Sequence, residues 1–208
     1  MNIYKFLFSD ALLASAVIPV LFLLQSRKKN SPLLKSPNKK QLLEKSSIKL
    51  PDKEKILELE NVSKAYGNEI KFDSLIGNWK FIYVCRKETD EEDSFFSSLL
   101  RLFSAYIKLK KNISPDNSNK FSIITSIQFG FLSIVFSGSG YLTGKRPNLI
   151  FFFNTIEFRS GAKVILSRSL REPIEKEKSF FSLIALDKSA QWLAARGPQG
   201  SLILWLKD

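Results

Sequence analysis

The sequence predicts a mainly β protein: an antiparallel barrel with a short N-terminal helix and one further helix, preceded by an apolar segment. Three observations carry this. Short apolar runs alternate with turn residues about every 8–12 positions through the second half of the chain. A Gly77-Asn78-Trp79 step leads straight into an alternating strand. A late strand ends in Arg196-Gly197, which would close a calyx-shaped barrel if the guanidinium lay over the Trp79 ring, a contact worth about 0.5–2 kcal/mol. In that arrangement Gly77 leaves room beside the indole where a Cβ would collide.

The elements follow in order. Residues 1–25 are a membrane-anchor candidate: the stretch from Phe6 to Leu24 is apolar but for Ser9, Asp10 and Ser15, and a spanning helix wants about 20 residues. Basic residues follow the run rather than precede it, which disfavours a cleaved signal and suits an anchor with Arg27-Lys28-Lys29 on the cytoplasmic side. An amphiphilic segment lying in the interface is the other reading of the same run. Residues 26–51 form a basic linker rich in Lys, Ser, Pro and Asn. Between Gln25 and Leu50 eight basic residues face one acid, Glu44. Beside an anionic surface each would contribute about 1 kcal/mol; a plain solvated tether is the alternative.

Residues 52–208 form the barrel domain. Leu50-Pro51-Asp52 starts a helix that Gly67-Asn68 stops, with Ile56, Leu57, Leu59 and Val62 on its apolar side. A strand follows from Gly77 to about Arg86, then an acidic loop from Thr89 to Asp93. Ser94 to Leu109 has helical spacing and one apolar face, suited to packing on the domain or covering a barrel mouth. From Phe121 to Phe131 the odd positions alternate; the parity then changes, which predicts a bulge or bend near Gly130. Strands at Leu149–Arg159, Lys163–Leu170, Phe180–Asp187, Gln191–Arg196 and Ser201–Lys207 complete the set. Gly138-Ser139-Gly140 and Gly144-Lys145-Arg146-Pro147 read as hairpin turns, since neither has phosphate-loop spacing.

Composition limits the chemistry. The chain has 208 residues, a formal charge of +12, no histidine and a lone cysteine, Cys85. Histidine-based general bases, Ser-His pairs and most zinc or haem sites are absent, and no intrachain disulfide is possible. No metal or cofactor is expected. The charge is scattered and no nucleic-acid module accompanies it. Most of the 18 Phe residues fall between Phe72 and Phe181. Walls of this kind suit an apolar guest, or simply fill the barrel as core. Arg168 shares parity with Val164, Leu166 and Leu170; inward, it would face the polar head of a guest, and a bulge would turn it outward.

Two residue runs are similar to a known family. Leu75-Ile76-Gly77-Asn78-Trp79-Lys80-Phe81-Ile82-Tyr83 resembles the entry strand of the plastid lipid-associated proteins, or fibrillins, of chloroplasts and cyanobacteria. Trp192-Leu193-Ala194-Ala195-Arg196-Gly197-Pro198-Gln199-Gly200-Ser201-Leu202 resembles their closing run. The resemblance covers about Lys53 to Asp208. Tyr83-Val84 stands where the family has Tyr-Thr, and the apolar-basic N-terminus replaces a transit peptide, as suits a cyanobacterial-type member.

The resemblance implies a lipocalin-like barrel on a photosynthetic membrane, thylakoid or cytoplasmic, handling a quinone, carotenoid or lipid. On that basis the expected function is non-enzymatic binding of a lipophilic molecule at a membrane surface. Trp79 and Arg196 would close the floor, and Tyr83, Phe129, Phe131, Phe151 and Phe153 would line the wall. The alternative is a filled barrel that coats lipid or recruits a complex. No catalytic residue and no nucleic-acid partner is expected.

Overall fold

The computed structural model describes residues 50–86, 89–111, 120–198 and 200–208. The anchor candidate and nearly all of the basic linker lie outside them. Among the described residues no helix is long and apolar enough to cross a membrane.

The first element, α1 (Lys53–Tyr66), starts at Asp52, whose carboxylate accepts the Lys55 N–H at 2.8 Å. It ends at Gly67, whose N–H donates to Ser63 O. Its buried side is Ile56, Glu60 and Ser63; of the expected apolar set Ile56 is fully buried, Leu59 packs in part against the same cluster, and Val62 is half exposed. A salt-bridged glutamate takes the place of an apolar residue at the packed face. The short α2 (Phe72–Leu75) leads into β1 (Gly77–Val84).

After β1 the chain makes α3 (Ser94–Leu102) and then β2 (Tyr106–Lys111). The expected single helix from Ser94 to Leu109 is thus two elements. Ser104, at φ 45°, turns the chain left-handed; beyond it the strict alternation of Tyr106, Ile107, Lys108 and Leu109 wins as a strand. The remaining strands are β3 (Lys120–Phe129), β4 (Leu132–Thr143), β5 (Asn148–Ser160), β6 (Lys163–Ser169), β7 (Ser179–Leu186), β8 (Trp192–Arg196) and β9 (Leu202–Lys207). The parity change near Gly130 is a hairpin between β3 and β4, not a bulge.

All pairings among the nine strands are antiparallel. The order β4-β3-β2-β1-β9-β8-β7-β5 closes on itself through β4–β5, giving an eight-stranded, lipocalin-like barrel. Closure leaves none of those eight without a partner on either side. The ninth strand, β6, stands outside the ring. β5 gives its first half to β7 (Phe151 opposite Ser179) and its second half to β6 (Phe158 opposite Leu166), so the β5–β6 hairpin overhangs one end of the barrel.

Gly138 and Gly140 lie inside β4 and not in a turn. A Cβ at Gly138 would sit 1.9 Å from Phe152 O, and one at Gly140 would meet the Phe121 ring at 2.5 Å. The register shift between Ser137 and Gly138 falls at the same place. These glycines let the wall bend tightly over its neighbours. Gly144–Pro147 does form the β4–β5 turn.

Two apolar clusters result from the strand alternation. The inner one fills the barrel with Trp79, Phe81, Ile107, Leu109, Phe121, Phe151, Phe181, Leu193 and Trp205 among others. The outer one lies beneath α1 and contains Ile56, Ile82, Tyr83, Cys85, Trp192, Ala194 and Leu204.

Candidate functional site

The interior is the natural first place to seek a guest, and it is occupied by the protein's own rings. Phe136, Phe153, Phe151, Phe181, Trp205 and Phe81 touch in succession, with centroids 5.1–5.7 Å apart. The void lined by Trp79, Leu149, Phe181, Trp205 and their neighbours is about 10 Å³. That is room for about one water, whereas ligand pockets run to about 300–1,000 Å³.

Both ends are covered. At the floor, Phe72 of α2 stacks on Phe121 (5.4 Å, 15°), and the Trp79 indole N–H donates to Leu75 O at 2.7 Å. At the other end α3 lies over the barrel: Arg101 donates to Ile82 O at 2.6 Å and the Ser97 hydroxyl accepts the Val84 N–H at 3.0 Å. Leu100 and Phe103 enter the inner cluster from above, Phe103 meeting Phe129 edge-on at 5.6 Å. The helix thus packs on the domain, its Leu100 buried in the inner cluster.

The expected site residues separate into three places. Trp79, Phe151 and Phe153 face the interior, with Phe129 at its upper margin. Tyr83 does not line the wall: a register shift between Phe81 and Tyr83 turns it into the outer cluster under α1, where burial, and then nearby Cys85 and Glu92, push its phenol upward. Phe131 is also outside, 72% exposed at the β3–β4 turn.

Arg196 is not the cation over Trp79. Its guanidinium donates to Glu60 at 2.8 and 3.0 Å, to Gly200 O at 2.8 Å and to Asp90, fastening α1 and the 89–93 segment to β8. The cation at the floor is Lys207, its ammonium 5.1 Å from the Trp79 ring centre. Gly77, at φ 138°, makes room for this lysine: an added Cβ would lie 2.8 Å from Lys207 Cε.

Burial alone would raise the Glu60 pKa, but hydrogen bonds from Arg196 and Lys64 outweigh it and hold the carboxyl below its ordinary value. Cys85 is pushed up to about 11, by burial first and then by Asp90 and Glu92, so its thiol is neutral near pH 7. Among the described residues no acidic or cysteine cluster is arranged to hold a metal.

Exposed apolar side chains gather on the overhang, while Val62, Tyr66, Phe95, Ile174 and Phe180 are exposed elsewhere. Phe158, Val164, Ile165 and Leu166 of the β5–β6 hairpin are exposed, Ile165 to 60%, together with Phe131 and Leu132 of the adjoining turn. The two turns are tied by the Gly161 N–H donating to Phe131 O at 2.6 Å. Cross-strand register places Ile134, Phe158 and Leu166 in one row on the face that continues the barrel's inner wall, and Val164 beside Arg159 on the opposite face. Ile165 sits at the register shift between them. Apolar side chains therefore leave this hairpin on both faces.

Sequence reasoning missed this surface because Val164-Ile165-Leu166 reads like any core strand. Nothing in the run itself reports that β5 has exchanged its partner. No protein-family model matches the chain, and no curated protein matches it. The resemblance to fibrillins rests on the two residue runs alone.

Proposed function

We propose that this protein is a non-enzymatic, membrane-associated lipid-binding barrel that meets lipid on its overhanging β5–β6 hairpin rather than in a deep calyx. A β-barrel of this class is compatible with a small hydrophobic ligand; the ring-filled interior favours the lipid-coating form of that function. The observation that carries the proposal is the two-sided exposure of Phe158, Val164, Ile165 and Leu166. A protein partner docked on one face would leave the other in water, whereas a lipid layer surrounds a shallowly inserted hairpin. Four large aliphatic or aromatic side chains gain about 1.5–3 kcal/mol each on full burial, so even partial immersion supports reversible attachment. The apolar segment before the domain would supply the second attachment that stable anchoring needs.

The test is photo-crosslinking of the full chain on phosphatidylcholine vesicles containing an acyl-chain diazirine lipid, with crosslinks mapped by peptide mass spectrometry. Adducts are expected on peptides spanning Phe158–Leu166 and Phe131–Leu132, and Leu166→Asp with Ile165→Asp should abolish them. Adducts confined to the N-terminal 49 residues, with the hairpin clean, would refute the proposal.

A further inference from the structure

The overhang also carries charge, and its placement bears on which lipid it meets. From Glu157 to Arg171 the chain holds four basic residues (Arg159, Lys163, Arg168 and Arg171) and one acid, Glu157. Arg159 is taken: its guanidinium holds Glu157 at 2.5–2.8 Å. That leaves Lys163, Arg168 and Arg171, all exposed, and none in an ion pair among the described residues.

Arg168 has the most telling position. Register sets it opposite Ile156, which is opposite Phe136, so it lies on the same face as the Ile134–Phe158–Leu166 row and one step along β6 from it. The nearest carboxylates in sequence after it, Glu172 and Glu175, are held by Lys178 at 3.3 and 2.9 Å. An uncompensated guanidinium beside an apolar row is the arrangement that suits an amphiphile: acyl chain along the row, anionic head on the fork of N–H donors.

Resting on the lipid reading above, we infer that the β5–β6 overhang selects anionic lipid headgroups, with Arg168 as the principal contact and Lys163 and Arg171 as supporting charges. The occupant is a headgroup in a lipid layer, because a soluble anion would gain nothing from Phe158 and Leu166 beside it. Each basic residue near an anionic surface contributes about 1 kcal/mol, close to a fivefold preference, screened by salt over a Debye length of about 10 Å at 0.1 M.

The basic run between Arg27 and Lys49 would dominate any measurement of total binding, so the readout must be local. The full chain is crosslinked as above on vesicles of phosphatidylcholine alone and on vesicles with phosphatidylglycerol added, and yield is read on the Phe158–Leu166 peptide. With the anionic lipid that yield is expected to rise several-fold. Arg168→Gln should remove about fivefold of the rise while adducts before residue 50 stay unchanged, and Lys163→Gln should act more weakly. Equal hairpin yields on both vesicles, or an undiminished rise in Arg168→Gln, would overturn the inference and leave the lipid reading standing. Loss of the rise on adding inorganic phosphate, at ionic strength held constant, would also overturn it, marking a free-anion site. A hairpin clean on both vesicles would remove both claims.

Discussion

Arg196 stands out in the sequence by its place beside Gly197, yet its partners, Glu60, Asp90 and Gly200 O, do not. The sequence offers one late arginine and one early tryptophan; it cannot tell that Ala195 faces the interior, so that Arg196 must face α1. The cluster it joins is largely buried, Glu60 to 5% exposure. Breaking a buried pair from one side costs about 3–5 kcal/mol, because a charge is left without compensation. Arg196→Met should therefore lower the melting temperature substantially while Trp79 emission stays as in the native protein; altered emission with native stability would restore the stacking idea. The pH sign follows from Glu60. Its folded pKa is depressed, so its stabilisation is complete above the unfolded carboxylate value of about 4.3 and is lost as pH falls through the lower, folded one. Urea unfolding at stepped pH should show this acid loss, reduced in Glu60→Gln.

At the scale of elements, the sequence was most legible where one periodicity ran unopposed. The strands from Leu149 onward and the first helix came through within about two residues of their true ends, because turn residues bracket them. The errors arose where two signals overlapped. Ser94–Leu109 joins an amphipathic helix to an alternating strand with only Phe103-Ser104-Ala105 between, and the helical period absorbed both. Gly138-Ser139-Gly140 looks like a turn since glycine is a local breaker, but these glycines answer to neighbours far along the chain. Gly138→Ala should cost about 1–3 kcal/mol or more, as overpacking does, the new methyl meeting the Phe152–Phe153 backbone of β5. Gly161→Ala, where a Cβ meets nothing within 4 Å at φ 55°, carries only the left-handed penalty of about 1–2 kcal/mol. Thermal melts of the two variants should rank in that order; the reverse order would show that β4 can shift to admit a side chain.

For the molecule as a whole, the barrel was foreseeable from the rhythm of its strands, but whether it was hollow was not. Phe on alternate positions gives the same pattern whether rings line a cavity or fill it. Here benzene should leave the melting temperature of the native protein unchanged. Phe151→Ala, destabilised by about 3–5 kcal/mol, should recover part of its loss when benzene occupies the new apolar space. A rise in the native protein would reveal an interior that opens. The sequence was equally silent about the ninth strand, since whether β6 joins the ring depends on shear accumulated around the whole sheet.

That strand has a consequence away from any lipid. The barrel hides the edges of eight strands, but among the described residues one side of β6 pairs with no other strand, leaving the backbone of Lys163–Ser169 open beside Val164, Ile165 and Leu166. A second copy offers the same edge, and antiparallel pairing would zip the two together. The like charges of Lys163 and Arg168 oppose it. Such pairing would use up the one open edge of each copy and stop at a two-fold dimer, so neutralising the residues argued to recognise a headgroup should favour dimers of the lipid-free protein, read by its mass in solution.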